Sequence, residues 1–128
     1  MTCFWDGIIR EINEQEFKNI CDFDDKPVPI RFILFLKSTN PSLKNILWNG
    51  KKLTDQEIKE HLEAINIYNV IDIDDGHLCS TCDSFLLVIS EIFKFQIIHK
   101  YVNTEIIYEN NFKNNRTIYF NSNKSHFH

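Results

Sequence analysis

Two residues near the ends of the sequence, Cys3 and His126, have the side chains that thiol-based acyl transfer requires. A thiolate attacks a carbonyl carbon, and an imidazole holds the thiol proton and later gives it to the leaving group. Cys3 precedes Phe4 and Trp5 at the start of a helical pattern, and His126 precedes Phe127 after a strand pattern. The free N–H groups of a first helical turn favour a thiolate and can donate to an oxyanion. Cys3 and His126 are therefore the candidate nucleophile and the candidate general base.

Three helices are predicted in the N-terminal part of the chain. The first is expected from Thr2 to about Ile12. Asn13 and Glu16 form a capping pair for a short second helix, whose inward side chains would be Phe17, Ile20 and Cys21. Pro29 suits the first position of a third helix over Ile30–Lys37, although a buried strand would also fit this short apolar run.

The clearest local signal is a capping box formed by Thr54 and Glu57, with Leu53 and Ile58 as a hydrophobic staple. A loop is expected over 72–82. After it, Asp83 is predicted to cap a nearly all-apolar helix, Ser84–Phe93. Because such a helix has no polar face, it should be the central buried element.

The remaining elements are predicted to be strands. Gln96–Tyr101 and Thr104–Glu109 form a hairpin, Arg116–Phe120 is a third strand, and Ser125–His128 is a fourth strand or a continuation of the third. Trp48-Asn49-Gly50 is interpreted as a turn. Helices followed by strands predict an α+β fold with N-terminal helices packed on a small C-terminal antiparallel sheet.

Length and composition predict a single domain over residues 1–128 with a substantial core, since 43% of the residues are hydrophobic. The net charge of −4 and the lack of a basic cluster argue against nucleic-acid binding. No apolar run approaches the ~20 residues of a membrane helix. No signal peptide is recognised at the N-terminus, so we expect a cytoplasmic monomer with reduced thiols.

Other titratable side chains have competing interpretations. Cys79 and Cys82 have the Cys-x-x-Cys spacing of a zinc site, with His77 as a third ligand, but a second Cys/His pair is missing at the usual spacing. The simpler interpretation is a loop that enters the following helix. His61 and His99 are interpreted as solvated or strand-face residues.

Three stretches together resemble the ovarian-tumour (OTU) family of cysteine proteases, whose known members are mostly deubiquitinases. Thr2–Asp6 resembles the nucleophile motif, Phe85–Ile98 resembles the core helix and following strand, and Ser125–Phe127 resembles the catalytic histidine with its aromatic neighbour. Their order and spacing match over nearly the whole sequence. Compact forms of this kind occur in large DNA viruses and bacteria, so the cytoplasm of a host cell is a further expected location.

The resemblance implies a papain-like fold and an isopeptidase that removes ubiquitin or a ubiquitin-like modifier. Cys3 would be the nucleophile and His126 the general base and acid, with no cofactor and no metal. In the family an Asp or Asn two positions beyond the histidine often orients it. Here that position is His128, which would act through its ring or through a terminal carboxylate. Asn121, Asn123 and an unassisted Cys–His pair are the alternatives.

One departure from the family pattern leads to an alternative function. The family usually has an Asp-Gly-x-x-Cys stretch whose backbone forms the oxyanion loop, whereas only Met1 and Thr2 precede Cys3. This favours a catalytically impaired module that binds ubiquitin without cutting it. A small zinc-stabilised structural protein built on Cys79 and Cys82 is the second alternative.

Overall fold

The computed structural model describes residues 3–70 and 79–122, which form helices and a mixed sheet. The elements in chain order are α1 (Cys3–Glu11), α2 (Glu14–Cys21), α3 (Pro29–Ser38), β1 (Ile46–Trp48), β2 (Lys51–Lys52), α4 (Asp55–Ile67), α5 (Cys79–Phe93), β3 (Phe95–Tyr101), β4 (Thr104–Asn110) and β5 (Arg116–Ser122). The predicted α+β class is confirmed. None of the described helices combines the length and apolar character needed to cross a bilayer.

Both predicted capping boxes are present at helix starts. The side chain of Asn13 accepts from the Glu16 N–H at 2.8 Å, and Glu16 accepts from the Asn13 N–H at 2.9 Å. Thr54 and Glu57 make the same reciprocal pair at the start of α4, at 3.1 and 2.8 Å. Each cap satisfies N–H groups that the helix itself leaves unpaired and contributes about 1 kcal/mol. These local bonds explain why α2 and α4 begin where the sequence predicts.

The third segment is a helix, and Pro29 is its first residue as expected. In α2, Phe17 and Cys21 are buried as predicted, but Ile20 is 41% exposed, so its inward placement was wrong. The reason is geometric. In an eight-residue helix that packs along one stripe, Phe17 and Cys21 are one turn apart and define that stripe, and Ile20 lies beside it.

Helix α5 is the central buried element, as predicted, but it begins earlier than expected. It starts at Cys79 rather than after Asp83, so Asp83 lies inside the helix and is not its cap. The carboxylate of Asp83 instead accepts a hydrogen bond from the Tyr108 hydroxyl. The part of the predicted loop over 79–82 is therefore helical. Five successive α5 side chains are fully buried, Phe85, Leu86, Leu87, Val88 and Ile89.

The sheet is mixed, with strand order β2-β1-β4-β3-β5, so the predicted small antiparallel C-terminal sheet was wrong. Strands β1–β2, β1–β4 and β3–β4 are antiparallel, whereas β3 and β5 are parallel. After β4, the chain returns to the start of β3, where the Asn115 N–H donates to the Lys94 carbonyl at 2.6 Å. Strand β5 then starts beside Phe95 and runs along the free side of β3, which makes the pair parallel.

Strands β1 and β2 were missed, although the Asn49-Gly50 turn between them was recognised as a turn. Asn49 and Gly50 have φ values of 51° and 81°, the positive values that two-residue hairpin turns favour. Asn49 also joins this hairpin to β4. Its N–H donates to the Ile107 carbonyl at 2.8 Å, and its side-chain oxygen accepts from the Ile107 N–H at 2.7 Å.

Candidate active site

Helices α1 and α5 run in the same direction across the sheet. The Trp5 ring, near the start of α1, meets the Phe85 ring in the middle of α5 with centroids 4.9 Å apart. At the other end of α1, the Glu11 carbonyl accepts a hydrogen bond from the Arg116 guanidinium. That guanidinium lies 4.8 Å from the centre of the Phe95 ring, just beyond the end of α5.

Strands β3 and β5 run in the opposite direction to these two helices. A single residue, Lys94, in the left-handed conformation (φ 58°), joins α5 to β3, so the chain reverses there. Strand β5 is parallel to β3. The N-termini of α1 and α5 therefore point toward the end of the molecule at which β3 and β5 finish, with Tyr101 and Ser122 as their last residues. We call this the helix-start end.

Two helix starts at one end favour negative charge there. Each helix carries a partial positive charge of about half an elementary charge at its N-terminus. Cys3 is the first residue of α1, in agreement with the predicted position in a first turn. The N–H groups of a first helical turn have no partner within the helix and can donate to an oxyanion. The partial charges of two helix starts thus favour an anion at this end.

The predicted partners of Cys3 lie outside the described residues. This applies to His126, His128 and Asn123, so the predicted catalytic pair stays a prediction. Asn121 lies in β5, one residue before its end, with an exposed side chain. It is placed at the helix-start end, where the proposed chemistry would occur.

A further imidazole, that of His99, lies in β3 near the helix-start end and is only 6% exposed. It is paired in register with Phe120 of β5 and Ile106 of β4. The strand-face interpretation was correct and the solvated one was wrong. The alternation of Phe95, Ile97 and His99 along the strand was the available signal, because residues two apart share a face.

A polar network lies between α4, α5 and the sheet, and sequence reasoning missed it. His61 Nδ1 lies 2.8 Å from Ser84 Oγ. The His61 ring stacks on Trp48 with centroids 5.7 Å apart, and the Trp48 and Tyr108 rings meet edge to face with centroids 5.2 Å apart. The Tyr108 hydroxyl in turn donates to Asp83. His61 therefore lies in a helix and is partly buried, so both expected interpretations, solvated and strand-face, were wrong.

The role of this network is structural rather than catalytic. Burial lowers the pKa of His61, which favours the neutral ring, and burial raises the pKa of Asp83 although the Tyr108 hydrogen bond opposes that change. A serine–histidine contact is typical of serine hydrolases, but Ser84 is 1% exposed, so a substrate cannot reach its hydroxyl. The network instead holds α4 against α5 and the sheet.

The zinc interpretation stays a prediction, because it depends on side chains outside the described part of the chain. Among the side chains that the structure does describe, no three from His, Cys, Asp or Glu come together as a metal site. Cys79 and Cys82 lie in the first turns of α5 rather than in a loop, and His77 is outside the described residues. Cys21 is buried, and burial raises its thiol pKa to about 12, so it remains a thiol and a poor ligand.

A surface groove of about 440 Å³ lies between the end of α3 and α4. Buried Leu36 and Ile65 line its apolar part, and Lys37, Lys59 and Glu63 line its polar part. Lys37 is already engaged, since its ammonium donates to the Tyr68 carbonyl. The groove contains no histidine or cysteine and has no chemistry of its own.

Comparison of the chain with known protein families, with curated proteins and with solved structures found no match in any of the three.

Proposed function

We propose that the protein is a papain-like cysteine isopeptidase that removes ubiquitin or a ubiquitin-like modifier, with Cys3 as nucleophile and His126 as general base and acid. The observation that supports it is the helix-start end. Helix α1 begins there with Cys3, and β5 ends there with Ser122. His126 follows Ser122 by four residues, which span at most about 14 Å. The backbone of His126 is therefore tethered within about 14 Å of the end of β5.

In the proposed reaction, the Cys3 thiolate attacks the carbonyl carbon of the modifier's last glycine. A bond forms between Sγ and that carbon, and the carbonyl oxygen becomes an oxyanion that receives hydrogen bonds from N–H groups at the start of α1. Protonated His126 gives its proton to the lysine nitrogen as the C–N bond breaks. His126 then takes a proton from water, whose oxygen displaces Sγ and releases the modifier as a free acid.

A third residue orients the imidazole in many such sites. His128 is the proposed candidate by its position two residues after His126, and Asn121 is the alternative within β5. Replacing each by Ala separates them, because only the orienting residue should lower kcat while leaving KM nearly unchanged. Wild-type activity in both variants supports an unassisted Cys–His pair.

The test is covalent capture by a panel of ubiquitin and ubiquitin-like probes that carry a C-terminal electrophile. We expect one probe to form an adduct with the wild-type chain, and Cys3→Ala to abolish it. Cys21→Ala is the matched control, because it removes a buried thiol and should leave the adduct unchanged. His126→Ala should slow adduct formation, most strongly near neutral pH.

The other outcomes separate the alternatives. Tight binding of a probe without adduct formation supports the impaired binding module. Capture that persists in Cys3→Ala contradicts Cys3 as the nucleophile. A stoichiometric zinc content of the purified protein, lost together with the fold on chelation, supports the zinc-stabilised structural protein.

A further inference from the structure

The two edges of the sheet differ in length and charge. Strand β2 forms one edge with only Lys51 and Lys52, both exposed. A very short edge strand that carries lysines is a common protection against pairing with another chain. Strand β5 forms the other edge and has seven residues. It is therefore the longer and less protected edge.

The one charged side chain of β5, that of Arg116, is held on the helix-covered face and does not lie along the free edge of the strand. The Arg116 guanidinium donates to Glu16 at 2.8 and 2.9 Å and lies over the Phe95 ring, on the helix-covered face. Positions 117–122 contain neither a charged residue nor a proline. Among the strands of the described chain, β3 is the only one that pairs with β5. Nothing in the β5 sequence opposes a second pairing.

Both faces of β5 carry apolar side chains that a further strand beside β5 could extend. Ile118 and Phe120 are each 2% exposed on the helix-covered face. Tyr119 is 66% exposed on the opposite face. It is in register with Ile98, which is in register with Ile107, so these three side chains form an apolar row across β5, β3 and β4. This row stops at the β5 edge.

We propose that β5 pairs antiparallel with β5 of a second copy of this chain, about a two-fold axis at Tyr119. In this register Tyr119 faces itself, and Ile118 faces Phe120 of the second copy. Thr117 faces Asn121, and Arg116 faces Ser122. Each apolar residue then meets an apolar residue, each polar one meets a polar one, and no charge meets its like.

A second copy fits this edge better than an arbitrary extended segment because the match is reciprocal. A two-fold interface requires the same strand to complement itself, and a one-residue shift would move apolar side chains onto the wrong face. The Tyr119-centred register also joins the apolar row of Tyr119, Ile98 and Ile107, on the face opposite the helices, to the same row of the second copy. The product is one continuous ten-stranded sheet, which differs from the monomer expected from the sequence.

The test is sedimentation of the full chain over a micromolar concentration series. The wild-type chain should dimerise. Tyr119→Lys and Tyr119→Glu should each weaken dimerisation about tenfold or more, because like charges would face each other on the axis. An equimolar mixture of the two variants should restore the dimer, since lysine then faces glutamate. Circular dichroism confirms that each variant is folded.

Phe112→Lys is the matched control. It introduces the same charge at an apolar side chain that is 81% exposed and lies between β4 and β5 rather than in a strand. It should leave the dimer intact. A wild-type chain that stays monomeric at every concentration overturns the proposal. So does a dimer that both charged Tyr119 variants retain, or one that their mixture fails to restore. These outcomes are independent of isopeptidase activity.

Discussion

At His61 the fold surrounds an imidazole with the indole of Trp48 and the hydroxyl of Ser84. Burial lowers the pKa of this ring, and the carboxylates of Glu57 and Glu60 only partly oppose the change. The neutral ring is therefore the form that the folded chain holds. At the same scale, burial raises the pKa of the Cys21 thiol to about 12, which makes it unreactive while the chain is folded.

His61 should make stability depend on pH in mildly acidic solution. Since its folded pKa lies below the ordinary value of 6.5, the unfolded chain takes up a proton first as the pH falls. The contribution of the neutral ring is fully present above the unfolded pKa and is lost as the pH falls from there through the folded pKa. The free energy of unfolding from urea titrations should therefore decrease across this window.

His61→Gln is the variant that isolates this effect, because its amide can still bond Ser84 but does not titrate. The free energy of unfolding of this variant should lack the decrease that the wild-type chain shows as the pH falls below the ordinary imidazole pKa. An unchanged slope would show that a group other than His61 causes it. Asp83 is not such a group, since burial raises its pKa and its titration therefore costs stability as the pH rises rather than as it falls.

At the scale of elements, Arg116 joins the helices to the sheet. Burial alone would raise the pKa of Glu16, but the hydrogen bonds from Arg116 and the Asn13 backbone, together with the Arg116 charge, lower it overall. Arg116 also bonds the Glu11 carbonyl at the end of α1. One side chain at the start of β5 thus fixes the α1–α2 junction.

Arg116→Met should cost about 1–3 kcal/mol in the free energy of unfolding, because it removes charge-assisted hydrogen bonds and leaves Glu16 without its cation. Lys18→Met is the matched control. Lys18 bonds Asp22 and Asp24 at 3.2 and 3.0 Å, but these carboxylates are 89% exposed. Its loss should therefore change the free energy of unfolding far less than the loss of Arg116. Equal costs in urea unfolding would contradict a special role for Arg116.

The elements predicted correctly are those that depend on neighbours in sequence. The capping boxes of Asn13 and Thr54 and the hairpin of β3 and β4 are formed by residues close in the chain. The errors concern long-range partners. The parallel placement of β5 and the addition of β1 to β4 depend on tertiary packing, which periodicity does not report. The start of α5 was misplaced because Asp83 resembles a cap, whereas its actual partner, Tyr108, is 25 positions away.

At the scale of the whole molecule, the candidate site was predictable only in part. The position of Cys3 at a helix start follows from local sequence, and α1 confirms it. The shared direction of α1 and α5 could not be predicted, because it depends on contacts between residues far apart in the chain, such as Trp5 and Phe85. The network of His61 and Ser84 was missed for the same reason.

Phe85 is the side chain on which the packing of α1 against α5 most depends. It is fully buried and contacts Trp5 at 4.9 Å and Tyr68 at 5.3 Å between ring centroids. Phe85→Ala should cost about 3–5 kcal/mol, because it removes these contacts and leaves a cavity. Phe112→Ala, at a side chain that is 81% exposed, should change stability by less than about 0.5 kcal/mol. Comparable costs for the two variants in urea unfolding would contradict this assignment.

The attachment of β1 to β4 has a consequence for misfolding. Asn49 and Ile107, which join them, are 58 positions apart, whereas α5, β3 and β4 follow one another directly. Closing the longer loop costs more chain entropy, so β1 and β2 should detach before the α5–β3–β4 unit melts. Detachment uncovers the backbone of β4, a strand with Ile106 and Ile107 at its centre. Under mild heating, aggregation should therefore begin from this partly opened chain rather than from the fully unfolded one.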